Sequence, residues 1–199
     1  MKKLSLLALL ASMFLIQCRP CRWSGCGCDF QGINELYVIE QMKAEFHALF
    51  GTNDTTQFYP ISQATIVITV SKASLLAQNT PKAQWSFIPT AQACDPAVDQ
   101  KATTYFSDII IINQKKDTVF GQIWNIGDTI TSHFNFGLNY SLKPIADFLK
   151  THDSIDRYAQ YKLRLKNSPQ QNKRLKFTVD LVMTDRKIFS FPNLEMRVY

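Results

Sequence analysis

Only four of the 199 residues are glutamate and three are histidine, and none of them falls in a spacing that carries chemistry. His47, His133 and His152 form no i, i+4 pair, and the chain has no H-E-x-x-H motif and no Walker-type glycine loop. Zinc hydrolysis of that kind and phosphate-loop chemistry are therefore excluded as motif-based readings. No carboxylate pair stands out for glycoside hydrolysis. Glycine (7) and proline (8) are too sparse for a collagen-like or low-complexity chain. With 46% hydrophobic residues against 19% charged, the chain has the material for a packed core and is not disordered. The formal charge of +6 is a mild excess, part of it from Lys2 and Lys3 at the very start, and implies no nucleic-acid partner.

Long apolar runs are also missing. The one extended stretch, Leu4–Ile16, contains two serines and is shorter than the ~20 residues a bilayer-spanning helix needs. A Met1-Lys2-Lys3 start, a short apolar run and an abrupt change of composition predict a secretory signal over residues 1–17. No A-x-A cleavage pattern follows. Leu15-Ile16-Gln17-Cys18 instead resembles the lipobox of bacterial lipoproteins, with Gln17 in place of the usual small residue. That resemblance implies acylation of Cys18 as the new N-terminus, with residues 18–28 as a lipidated tether and 29–199 as a single domain. Several acyl chains are enough to hold a protein on a membrane unaided. No acidic run follows Cys18, which points to the periplasmic face of the outer membrane rather than to the cell surface.

Five cysteines are an odd number for an exported protein. Assigning Cys18 to lipid leaves Cys21, Cys26, Cys28 and Cys94. Cys26 and Cys28 are too close in sequence for an unstrained mutual bond. The expectation is a disulfide from Cys94 to Cys26 or Cys28, worth about 2–4 kcal/mol. The alternative is a metal site on Cys21-x4-Cys26-x-Cys28, but its spacing does not match the C-x2-C pairs of structural zinc, and an oxidising envelope favours disulfides. No metal and no cofactor are expected.

Periodicity predicts a mainly β chain. Ala64–Val70 and Ser107–Asn113 are short β-branched runs, and Thr118–Trp124 reads as a strand. Residues 33–39 read as a strand followed by a helical turn, because Gln41–Leu49 combines helical spacing with good helix formers. Pro144–Lys150 reads as a short helix with proline in its first turn. Tyr161, Leu163 and Leu165 alternate with Lys162, Arg164 and Lys166, and Leu175–Met183 alternates in the same way. Joined by a polar loop, these two segments predict a long hairpin. Ile188–Phe191 and Leu194–Val198 complete the set. The fold expected is an antiparallel β-sandwich, immunoglobulin-like or related, with one or two short helices. In the predicted hairpin Lys162, Arg164, Lys166, Arg174 and Lys176 share one exposed face, either a solvated surface or a docking surface for an anionic envelope partner.

The lipobox-like start, the Cys-x-Cys tether, Ala-Cys-Asp-Pro (93–96) and Phe177–Arg186 together resemble a group of small cell-envelope lipoproteins of Bacteroidetes, of unknown function. The resemblance implies an envelope lipoprotein and supplies no catalytic residue. Sites resembling the Asp-Ser/Thr-apolar acceptor of O-glycosylation in those bacteria occur at Thr55, Thr118, Thr129 and Ser154, although Asp-Thr and Asp-Ser also suit turns. Thr151-His152-Asp153-Ser154 holds a base, a carboxylate and a hydroxyl, but adjacent residues rarely converge on one substrate. Trp85, Tyr105, Trp124, Phe134 and Phe136 could stack on a sugar and fit a core better. The functional expectation is a non-enzymatic, lipid-anchored binding or structural module, with an envelope protein or glycan as partner. The alternatives are a carbohydrate-binding module and an envelope hydrolase.

Overall fold

The computed structural model describes residues 33–48, 56–78, 98–138, 141–151 and 154–199. The chain forms two compact units. One comprises residues 1–33 and 79–99, of which only Ile33, Val98 and Asp99 are described. The other, Asn34–Gln78 with Gln100–Tyr199, is mainly β and sandwich-like. All five cysteines, the leader, the tether and Thr55 lie outside the described residues.

Eleven strands, one short α-helix and one 3-10 turn (Thr131–His133) are described. The strands and the α-helix are β1 (Ile33–Ala48), β2 (Ala64–Gln78), β3 (Val98–Ala102), β4 (Phe106–Asn113), β5 (Asp117–Val119), β6 (Gln122–Trp124), β7 (Phe134–Leu138), β8 (Ser141–Pro144), α1 (Ile145–Thr151), β9 (Gln160–Leu165), β10 (Lys173–Met183) and β11 (Ile188–Val198). The larger sheet runs β3-β1-β2-β9-β7-β8 and the smaller β11-β10-β4, while β5 and β6 form a separate hairpin. Every pairing described between named strands is antiparallel.

Strand β1 overturns the expected helical turn after residue 39. Its partner β2 pairs with it from Glu35↔Gln78 to Ala48↔Ala64. Met42 and Ala48 are buried, and Ala44 and Phe46 pack on the core, so spacing of two wins over helical spacing once β2 lies alongside. Register shifts around Gln41 leave Glu40 without a partner position on β2. The Lys187 ammonium binds the backbone at this irregularity, donating to Ile39 O at 2.7 Å and Glu40 O at 3.1 Å while lying 4.7 Å from the Phe189 ring centroid. Lys187 thereby ties β1 to the turn that opens β11. Lys187→Met keeps the apolar stem and removes the donor. We expect it to cost about 1–3 kcal/mol, read as a lower urea midpoint at unchanged slope. An unchanged midpoint would show that water replaces the ammonium without penalty.

The predicted hairpin of β9 with β10 does not form. Strand β9 pairs with β2 and β7, and β10 pairs with β11 and β4, so the two lie in different sheets. The connection crosses between them. Lys166 N–H donates to His133 O at 2.9 Å beside β7, and the Ser168 hydroxyl reaches Tyr199 O at 2.6 Å beside the end of β11. Alternation identifies which face of a strand is buried but not which strand lies next to it.

The core fills the space between the sheets. Ile66 and Ile68 of β2, Tyr161, Leu163 and Leu165 of β9, and Phe134 and Phe136 of β7 meet Leu175–Met183 of β10 and Ile109 and Ile111 of β4. Phe134 and Phe177 face each other across the layers at 5.3 Å. Helix α1 closes one end by placing Phe148 against Phe136 (4.8 Å) and Phe106 (6.4 Å). The β5–β6 segment expected as one strand turns at Phe120 (φ 54°) and Gly121 (φ 73°), the left-handed pair required by a two-residue hairpin loop. In β11, Pro192 and Asn193 (φ 60°) sit where the register with β10 shifts. Proline lacks the donor that a regular ladder needs and is accommodated at that irregularity.

Candidate binding surface

Outward-facing side chains and strand edges are where this fold can meet a partner. The five basic residues do not form one face. Lys162, Arg164 and Lys166 belong to the larger sheet and its exit, whereas Arg174 and Lys176 sit on the smaller one. Burying Tyr161, Leu163 and Leu165 turns the first group off one side of the sandwich, and burying Leu175 and Phe177 turns the second off the other. Arg174 is also paired: Glu195 of β11 accepts from its Nε at 2.6 Å and its Nη2 at 2.8 Å, and from Arg197 Nε at 2.9 Å. The Arg174 hydrogen bonds, with Arg197 behind them, hold the Glu195 carboxyl below its ordinary range against the opposing effect of burial. Lys176 stands opposite Glu195 in the register. Lys166 Nζ caps Ser132 O at 2.5 Å. Arg164 lies against Thr65 Oγ1 at 3.5 Å, and its buried Nε finds no acceptor among the described residues. The acid that neutralises Arg174 comes from a strand whose pairing the sequence pattern does not reveal.

The three acceptor-like hydroxyls among the described residues, those of Thr118, Thr129 and Ser154, are exposed. The apolar residue after each, Val119, Ile130 and Ile155, is buried. Asp117 and Asp128 have structural work: Asp117 Oδ1 accepts from Thr118 N–H at 2.7 Å and from Lys173 Nζ at 2.9 Å, and Asp128 Oδ2 accepts from Asn125 N–H at 2.6 Å. Burial alone would raise the Asp117 pKa, but the Lys173 hydrogen bond and the Thr118 N–H outweigh it and the pKa is lowered.

The histidines stand apart. His47 is half-exposed on β1 with Glu45 Oε2 at 3.8 Å. His133 stacks on Phe120 (5.8 Å) and lies 4.9 Å from the Trp124 ring, where burial, with Lys166 nearby, holds its pKa down. His152 and Asp153 lie outside the described residues, and the Thr151 hydroxyl is spent on the carbonyls of Asp147 and Phe148 at 3.1 and 3.2 Å. No group of three His, Cys, Asp or Glu residues able to hold a metal occurs among the described residues. Trp124, Phe134 and Phe136 are core, Tyr105 is exposed, and Trp85 is outside the described residues. Two buried tyrosines serve as anchors: the Tyr37 hydroxyl donates to Ile155 O, and Tyr161 Oη accepts from Asp156 N–H at 3.0 Å. Burial, with Asp156 adding to it, pushes the Tyr37 pKa up to about 12.

Two recesses follow strand edges. The larger, about 290 Å³, lies between β1 and β11 and is lined by Glu40, Met42, Lys43, Ser71, Phe189 and Phe191 among others. Glu40 is engaged there: Lys72 and the Ser74 hydroxyl bind its carboxylate and lower its pKa. The smaller, about 200 Å³, is lined by Val70, Ser71, Lys72, Ala73, Arg157 and Tyr158. Sequence reasoning missed both, because they arise from where neighbouring strands stop rather than from any motif. The architecture defines a mainly β, sandwich-like protein. No family model matches the chain, and no curated protein and no solved structure matches it either.

Proposed function

We propose that the chain is a lipid-anchored cell-envelope protein, held at the periplasmic side of a bacterial outer membrane, that works as a binding or structural module rather than a hydrolase. One observation carries the second half of this reading. The two recesses described above are clefts along strand edges, and the carboxylate in the larger one is already paired with Lys72 and Ser74. A catalytic site needs a general acid or base free to reach substrate. An edge cleft needs only a complementary chain. The anchoring half rests on Leu15-Ile16-Gln17-Cys18 after a short apolar run.

Detergent phase partitioning of protein expressed with its leader tests the anchor. Each buried methylene contributes about 0.8 kcal/mol, so acyl chains should move wild type almost wholly into the detergent phase and leave Cys18→Ala in the aqueous phase. Equal partitioning of the two forms would overturn the anchor.

A further inference from the structure

We propose that the recess between β1 and β11 is a binding slot for a soluble medium-chain carboxylate, with the hydrocarbon tail in the slot and the head on Lys43, a reading that deepens the binding role proposed above. Described residues tie the slot at both ends. At one end the Lys187 ammonium reaches from the start of β11 to Ile39 O and Glu40 O of β1. At the other, Tyr59 N–H donates to Arg197 O at 3.1 Å and Tyr59 O accepts from Tyr199 N–H at 3.1 Å, while the Tyr59 ring lies 5.7 Å from that of Phe46 on β1. Between these ties β1 and β11 do not pair among the described residues, and a space of about 290 Å³ remains. The β1–β2 ribbon shapes that space. Ile39 pairs with Ala73, Gln41 with Lys72 and Met42 with Val70, so Glu40 and Ser71 are each left over in the register. Irregularities of this kind bend a strand and re-aim side chains. Both Glu40 and Ser71 line the slot.

The lining selects an amphipathic anion. Met42 and Phe189 are buried and Phe191 is partly buried against the core, which gives a tail an apolar floor. The carboxylate in the lining, Glu40, is neutralised by Lys72. Lys43 is exposed at the slot and meets no acid among the described residues; Glu45, two residues along the same strand, has His47 at 3.8 Å. Lys43 is therefore the unmatched charge of the site, and an ammonium is a donor with no acceptor of its own, suited to a carboxylate. The side chains of Gln41 and Ser71, which make no hydrogen bond among the described residues, stand beside it as further donors. A space of about 290 Å³ is at the small end of ligand sites, so it takes a short tail rather than a long acyl chain.

The test titrates octanoate, below its micellar concentration, into the full chain carrying Cys18→Ala, in buffer free of detergent that would compete for the tail. Calorimetry and the methyl NMR signal of Met42 report binding. Saturable binding that moves the Met42 methyl signal is expected, weakened roughly tenfold or more by Lys43→Glu, by Ser71→Trp, which fills the slot, and by octylammonium in place of octanoate. Lys43 and Ser71 are exposed, so both variants can lose binding while keeping the fold, which an unchanged urea midpoint checks. Absence of saturable binding, binding indifferent to Lys43→Glu, or a Met42 signal that does not move would overturn the proposal, as would a dimer that octanoate dissociates, which would assign the slot to a second copy. The result does not depend on acylation. Failure of Cys18 to carry lipid therefore leaves the slot standing, and failure of octanoate to bind leaves the anchor standing.

Discussion

Phe136→Ala will cost about 3–5 kcal/mol, enough to leave a domain of ordinary stability near its unfolding midpoint under mild denaturant. Phe136 is fully buried on β7 and is the centre of the aromatic cluster. It stacks on Tyr161 of β9 at 5.8 Å, meets Phe148 of α1 edge-on at 4.8 Å, and meets Phe106 of β4 edge-on at 5.8 Å. These partners come from both sheets and from the helix. Collapse around an alanine would have to move two layers at once, so the cavity stays open and its cost is added to the lost transfer energy. Edge-to-face geometry adds a further 0.5–1.5 kcal/mol per pair at most. Chemical denaturation followed by tryptophan fluorescence checks this, with Phe136→Leu as the milder comparison. A loss under 1 kcal/mol would mean that the sheets are not held at this point.

Much of that cluster is legible in the sequence and its arrangement is not. Alternation from Tyr161 to Leu165 and from Leu175 to Met183 predicts the buried face of both strands, and both faces are buried. The same alternation suggests that the two strands pair, since neighbours in sequence usually do. The core decides otherwise: β7 and β2 supply the partners of β9, and β11 and β4 those of β10. Residues 41–48 satisfy two periods at once, with Met42 and Phe46 one helical turn apart and Met42, Ala44, Phe46 and Ala48 on one strand face. Local propensity cannot choose between them; a fifteen-residue partner strand does. The cationic face fails for a related reason. Charge on a strand has a side only after its sheet is known, and Glu195, which neutralises Arg174, reaches it through strand pairing rather than through sequence proximity. The edge cleft at Val70–Ala73 is a further step removed, because it depends on a strand ending where it does.

The second large effect belongs to a residue with no side chain. Gly137 lies in β7, opposite Leu142 of β8 on one side and Lys162 of β9 on the other. Its backbone is not in the left-handed region, so alanine is not excluded by its dihedral angles. Space excludes it. A methyl group there would be driven into the Ser141 carbonyl oxygen and would stand 3.0 Å from the carbonyl carbon and 3.2 Å from Leu142 Cα. All three are backbone atoms, which cannot swing aside as a side-chain tip can. Either β7 or β8 must shift. Strand β8 is the edge of the larger sheet, only four residues long, and it runs directly into α1. It is the element that yields, and it pulls Ile145 and Phe148 away from the cluster around Phe136. The expected cost of Gly137→Ala is therefore at the upper end of overpacking, about 3 kcal/mol, with most of it felt at one end of the sandwich. Hydrogen exchange separates this outcome from general weakening. Amides of β8 and α1 should lose protection by a factor of a hundred or more, while those in the centre of β10 fall only as global stability falls. Equal loss across β8 and β10 would mean that the edge strand and the core unfold together, and unchanged protection in β8 would mean that the crossing at Ser141 is looser than this geometry requires.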